Sequence, residues 1–74
     1  MKDQKRLLHK CLLEDIPAFV ICGTDICSVL AMEAYYQIEV EKCCNCYFLE
    51  ELKLAIEDFK AFECDEREKV KIPD

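Results

Sequence analysis

Between residues 25 and 63 two long stretches of helical periodicity are separated only by Cys43-Cys44-Asn45-Cys46. A break that short obliges two helices to turn back on each other as an antiparallel hairpin. The second stretch, over 47–63, places Phe48, Leu49, Leu52, Ala55, Ile56, Phe59 and Phe62 on one broad stripe. Glu50, Glu51, Lys53, Glu57, Asp58 and Lys60 take the opposite face, and Asn45 is positioned to cap the start. The first stretch, running to about Lys42, carries two apolar stripes instead of one. Cys27, Leu30, Ala31, Ala34, Tyr35 and Ile38 form the first, and Val29, Met32, Tyr36 and Val40 form the second. A helix with two apolar faces has two things to bury against.

The flanks supply shorter elements. Leu7, Leu8, Cys11 and Leu12 recur at helical spacing and predict a short amphipathic helix over 3–14, stopped by the bias of Ile16 away from helix before Pro17. Ile16 to Cys22 is an apolar run between proline and glycine, which predicts a buried strand over Ala18–Cys22. Phe19 and Ile21 would point to one side of it, and Ala18, Val20 and Cys22 to the other. At the far end, Lys69-Val70-Lys71-Ile72-Pro73 alternates polar and apolar and predicts a short edge strand guarded by lysines. Ala18–Cys22 would pair with that tail, in the same chain or a neighbour, or with its own copy about a twofold axis. The expected fold is therefore α+β and mainly helical: a short N-terminal helix, one buried strand, a long helical hairpin and a short C-terminal strand. It forms a single domain over 1–74 with flexible ends.

Size makes the oligomer attractive. A 74-residue chain is near the limit where one core supplies only about 3–5 kcal/mol without a metal, disulfides or oligomerisation. The formal net charge of −6 argues against ordinary nucleic-acid binding, which needs clustered Lys and Arg. An acidic surface fits a protein partner better. The charge is also segregated: residues 1–14 carry four bases (Lys2, Lys5, Arg6, Lys10) against Asp3 and Glu14, whereas 39–68 carry ten acids against four bases. Opposite ends could attract each other between subunits. The N-terminal MKDQKRLLHKCLLED has no apolar core of a secretion signal, and no apolar run is long enough to span a bilayer. A cytoplasmic protein with reduced thiols is expected, with Cys22 and Cys27 as small buried hydrophobes.

Three constellations could carry chemistry. Cys43, Cys44 and Cys46, with Cys64, Cys11 and His9 as further donors, offer thiolates to a metal, but Cys43-x-x-Cys46 is a single C-x-x-C pair and zinc needs a second. A redox role suits this pair less, because it lies between two helices and not after a strand. The turn Gly23-Thr24-Asp25 leads into a helix N-terminus, where either Thr24 or Asp25 caps the helix or the free amides hold an anion, with Tyr35 and Tyr36 as aromatic faces. Packing in a core or interface is the plainer role for the two tyrosines. The acids of the second helix alternate with lysines, as in Lys53–Glu57 and Glu57–Lys60, and read as a solvated face. With one histidine and one serine, no catalytic triad or metal-hydrolase motif can be drawn, so no enzyme and no cofactor is expected.

Pro17-Ala18-Phe19-Val20-Ile21-Cys22-Gly23-Thr24-Asp25, followed by an Ala- and Tyr-containing helix and by Phe48-Leu49-Glu50-Glu51-Leu52, resembles a group of short proteins from bacteriophages and mobile elements of Bacteroides-type gut bacteria. The resemblance covers roughly residues 16–62 and rests on a Pro-x-Phe-Val strand, a nearby Asp and a two-helix tail. It implies a small accessory protein that counters host defence, by occupying the working surface of a host protein or by sequestering a nucleotide immune signal between subunits. It brings no functional residues with it. The two mechanisms point to different places: Glu50, Glu51, Glu57 and Asp58 for a protein partner, and Gly23, Thr24, Asp25, Tyr35 and Tyr36 for a nucleotide.

Overall fold

A computed structural model describes residues 4–42 and 45–73. It contains three helices, α1 (Gln4–Leu13), α2 (Ser28–Lys42) and α3 (Cys46–Asp65), and a 3-10 turn at Arg67–Lys69. Among the described residues there is no strand; the one sheet-like feature is an isolated parallel bridge between Asp25 and Lys71. The fold is all-α, which corrects the α+β expectation.

The helices begin and end where local chemistry dictates. Asn45 caps α3, its side chain accepting from the Phe48 amide at 3.1 Å. No breaker follows Phe62, so α3 runs past the expected end at 63 through Cys64 and Asp65 and closes with the Glu66 amide on the Phe62 carbonyl at 2.8 Å. α1 ends with Asp15 at φ 56, a left-handed residue that lets the Ile16 amide reach the Cys11 carbonyl at 2.9 Å. This is a Schellman-type stop, and Pro17 just beyond it cannot resume the helix.

Both expected strands fail for the same reason: neither finds a ladder partner. The amides of Ala18, Phe19, Val20 and Ile21 make no hydrogen bond to another described residue, and Phe19 and Val20 are 89% and 69% exposed. The tail does approach, but at the wrong place. The Ile26 amide donates to the Lys71 carbonyl and the Lys71 amide to the Thr24 carbonyl, both at 2.9 Å, so the tail pairs with the residues after Gly23 and not with the apolar run before it. Local turns absorb the rest, with Lys69 bonded to Glu66 and Val70 to Arg67. A short apolar run between proline and glycine specifies a strand only when an edge is available to it.

The core is the seam of the α2–α3 hairpin. Leu52 and Ile56 of α3 are the buried apolar side chains among the described residues, and Val29, Met32 and Tyr36 of α2 are half-buried. Of the two stripes on α2, the second therefore faces the seam. Of the first, Tyr35 stands against Phe48 of α3, while Leu30 at 72% and Ile38 at 53% exposure, with Ala31 and Ala34 exposed between them, form an outward aliphatic stripe. Gly23 lies against the Phe62 ring, where a Cβ would come within 3.3 Å of Cδ1, so close approach and not backbone conformation favours glycine here. Cys22 and Cys27 are exposed thiols, contrary to the expectation of burial. α1 packs on no other helix.

Leu52→Ala and Ile56→Ala should each cost about 2–4 kcal/mol, most of what a chain this size has. Val20→Pro should leave the unfolding midpoint nearly unchanged, because the amide it removes bonds to none of the described residues. Urea denaturation followed by far-UV circular dichroism measures all three; a large loss in Val20→Pro would mean that residues 18–22 are paired after all.

Candidate functional site

The most distinctive surface is the outer face of α3, opposite the hairpin seam. At 100° per residue, Tyr47, Leu54 and Ala61 recur every seventh position and fall on one line along the helix. Glu50 and Glu57 run along one side of that line and Glu51 and Asp58 along the other, at the same spacing. Tyr47 is 86% and Leu54 61% exposed, and Ala61 is exposed with them. Glu50, Glu57 and Asp58 are open to solvent, while Glu51 is half-buried and already engaged in an interaction. The result is an apolar seam about 21 Å long with an acidic rim on each side.

Sequence reasoning placed the four acids on this face but missed Tyr47 and Leu54. A count of apolar residues at helical spacing assigns the core stripe and treats what remains as solvated. The signal that would have found them is the shared spacing of seven, which aligns two apolar residues between two pairs of acids.

The turn Gly23-Thr24-Asp25 is bound up in its own backbone. Asp25 accepts from the Cys27 amide through Oδ1 at 2.8 Å, its amide donates to the Cys22 carbonyl and its carbonyl accepts from Ser28, both at 3.0 Å. α2 opens only at Ser28, with the Cys27 carbonyl accepting from Ala31 at 2.9 Å, so neither Thr24 nor Asp25 is the cap; Asp25 closes an Asx turn three residues ahead of the helix. Lys71 occupies the carbonyl of Thr24 and the amide of Ile26. The tyrosines lie elsewhere. Tyr36 is about 12 Å along the axis from Ser28, and Tyr35 stands edge-on to Phe48 with ring centroids 6.3 Å apart. Within one chain, turn and tyrosines do not converge.

Tyr36 instead lines a groove of about 430 Å³ between α2 and α3, with Glu33, Gln37, Lys53, Ile56, Glu57 and Lys60. Lys60 Nζ and Glu33 Oε2 are 3.2 Å apart and bridge it. This groove is the outer margin of the hairpin seam.

The thiols are dispersed. Cys46 and Cys64 are exposed at opposite ends of α3, about 27 Å apart along the helix, so they cannot share one metal. Cys43 and Cys44 lie outside the described residues, Cys11 is half-buried on α1, and His9 is exposed there. Among the described residues no group of three or more His, Cys, Asp or Glu is arranged to hold a metal ion. Cys22 differs from the other thiols: Thr24 Oγ1 donates to its Sγ at 3.3 Å, which, with the Thr24 amide, holds the thiol below its ordinary pKa.

No protein-family model, curated protein or solved structure matches the chain. Among the described residues no helix is long and apolar enough to cross a membrane.

A lowered thiol pKa raises the thiolate fraction at every pH below the ordinary thiol range and confers nothing once all thiols are ionised. In the reduced protein near pH 7.5, Cys22 should therefore alkylate faster than Cys27, Cys46 or Cys64, and Thr24→Val should remove the lead. Site-resolved iodoacetamide labelling read by peptide mass spectrometry tests this, with the advantage fading as pH rises past about 9. Equal rates at neutral pH would show that the Thr24 hydroxyl does not hold the sulfur in solution.

Proposed function

We propose that this chain is a small non-enzymatic binding protein that acts by stoichiometric association, offering the outer face of α3 to a protein partner. The observation that carries the reading is the exposure of Tyr47 and Leu54 in line between two rows of acids. Interfaces of ordinary size place aromatic and aliphatic anchors at the centre and polar groups at the rim, and tyrosine is enriched among the residues whose loss weakens binding most. The complement is a surface with an apolar recess flanked by Lys or Arg. The acidic rim would speed encounter and fix register, while Tyr47 and Leu54 would set the dissociation rate.

The partner's identity as a host protein, and this chain's origin in a phage or mobile element, rest on the resemblance of residues 16–62 alone. A cytoplasmic setting agrees with the free thiols Cys11, Cys22, Cys27, Cys46 and Cys64. The nucleotide reading has no comparable observation behind it, since its five residues are divided between a self-satisfied turn and two separate places on α2.

The test is capture with the full-length tagged chain from the cells that encode it, followed by native mass spectrometry of the complex. The expected result is a whole-number ratio of the two proteins. Tyr47→Ala and Leu54→Ala should each weaken it at least tenfold, roughly 1.4 kcal/mol or more. The triple change Glu50→Lys, Glu57→Lys, Asp58→Lys should slow association and flatten its salt dependence. A partner held at full strength by all of these variants would place the contact elsewhere.

A further inference from the structure

The α3 face leaves most of the open apolar surface unexplained. The chain exposes 6293 Å², whereas a compact monomer of 8.7 kDa is expected to expose about 4,700 Å². Its radius of gyration of 13.5 Å likewise exceeds the roughly 11 Å of a compact chain this long. The surplus, about 1,500 Å², is nearly twice the ~800 Å² that each partner contributes to a stable interface.

Part of that surplus lies in α1 and the segment after it, where Leu12, Leu13, Phe19 and Val20 are open to solvent; another part is the outward stripe of α2, whose pattern is self-complementary. Leu30 and Ile38 lie four residues on either side of Ala34, with Ala31 beside them, so the stripe is small at its centre and large at both ends. Two such helices crossing antiparallel at Ala34 place Leu30 of each opposite Ile38 of the other, while the small centre lets the backbones approach. No charged residue interrupts the stripe between Cys27 and Ile38, and Glu41, beyond its end, would lie opposite Cys27 and far from its own copy. This stripe lies on the side of α2 opposite Val29, Met32 and Tyr36, so a contact through it joins two hairpins by α2 alone and leaves each α3 on the outside.

We infer that the exposed stripe of α2 is covered by the same stripe of a second copy, giving a twofold dimer of hairpins joined through α2 with Ala34 at the axis. The outer face of α3 points away from this contact and stays free, so the dimer does not depend on the partner reading above, nor that reading on the dimer.

Sedimentation equilibrium of the full-length chain under reducing conditions, from about 1 to 100 µM, tests it. Wild type should sediment at twice 8.7 kDa. Ala34→Glu and Ala34→Lys should each be monomeric over that range with unchanged helical circular dichroism, because Ala34 is exposed in the single chain. An equimolar mixture of the two variants should regain the dimer, as opposite charges meet at the axis, which a folding defect could not produce. Tyr47→Ala with Leu54→Ala should dimerise like wild type. A wild-type monomer at 100 µM, an oligomer indifferent to both Ala34 substitutions, or a dimer lost with Tyr47 and Leu54 would each overturn the inference. The first would leave the stripe to α1 or to another protein, and the last would make α3 the self-contact.

Discussion

Everything in this structure depends on one hydrophobic seam. Leu52 and Ile56 of α3, facing the Val29, Met32 and Tyr36 side of α2, are the apolar side chains that the described chain takes most fully out of water. Burial of that kind contributes roughly 25 cal/mol per Å² of apolar surface, and fixing the backbone consumes most of it. A two-helix seam can orient the helices, but it cannot also cover what lies on their outer sides. The outward apolar residues of α2 and α3 follow from the geometry of a hairpin whose helices are each apolar in more than one direction.

Those two open surfaces differ in chemistry. The α2 stripe is aliphatic, small at its middle and uncharged, so it matches itself; the α3 line is aromatic and aliphatic between acids, so it repels its own copy and favours a cationic surface. A twofold dimer through the first would display the second twice. Two linked sites on one particle raise the effective concentration of the second binding event, which strengthens attachment to any target that is itself repeated.

How much of this was legible beforehand varies with the range of the interaction. The helices were legible because their evidence is local: Asn45 caps where an Asn should, Pro17 follows a stop, and the Phe48 to Phe62 stripe holds its phase over four turns. The hairpin followed from the shortness of its connection. The strands were not legible, because Ala18–Cys22 meets every local criterion for a strand and lacks only a partner, which periodicity cannot reveal. Asp25 was misplaced for a related reason, since a side chain that can cap a helix can equally close a turn ahead of one. The α2 stripes were visible as a pair, but only packing could say which of them faced inward. Tyr47 and Leu54 escaped notice because helical spacing was used to find the core and not to examine the remaining face.

The pairing of Lys71 with Thr24 and Ile26 bears on the order in which the chain assembles. Helices α2 and α3 meet through neighbours in sequence, so their hairpin can form early and quickly. Bringing Lys71 to Asp25 from an open chain would close a loop of roughly 46 residues, at an entropic cost on the order of 3 kcal/mol, which two backbone hydrogen bonds of about 1 kcal/mol each cannot offset. Once the hairpin has formed, the end of α3 already lies beside the start of α2, as the Gly23–Phe62 contact shows, and little of that cost remains. The bridge is thus a late event that locks a preassembled pair, and its amides should open before those of the α2–α3 seam when the molecule breathes.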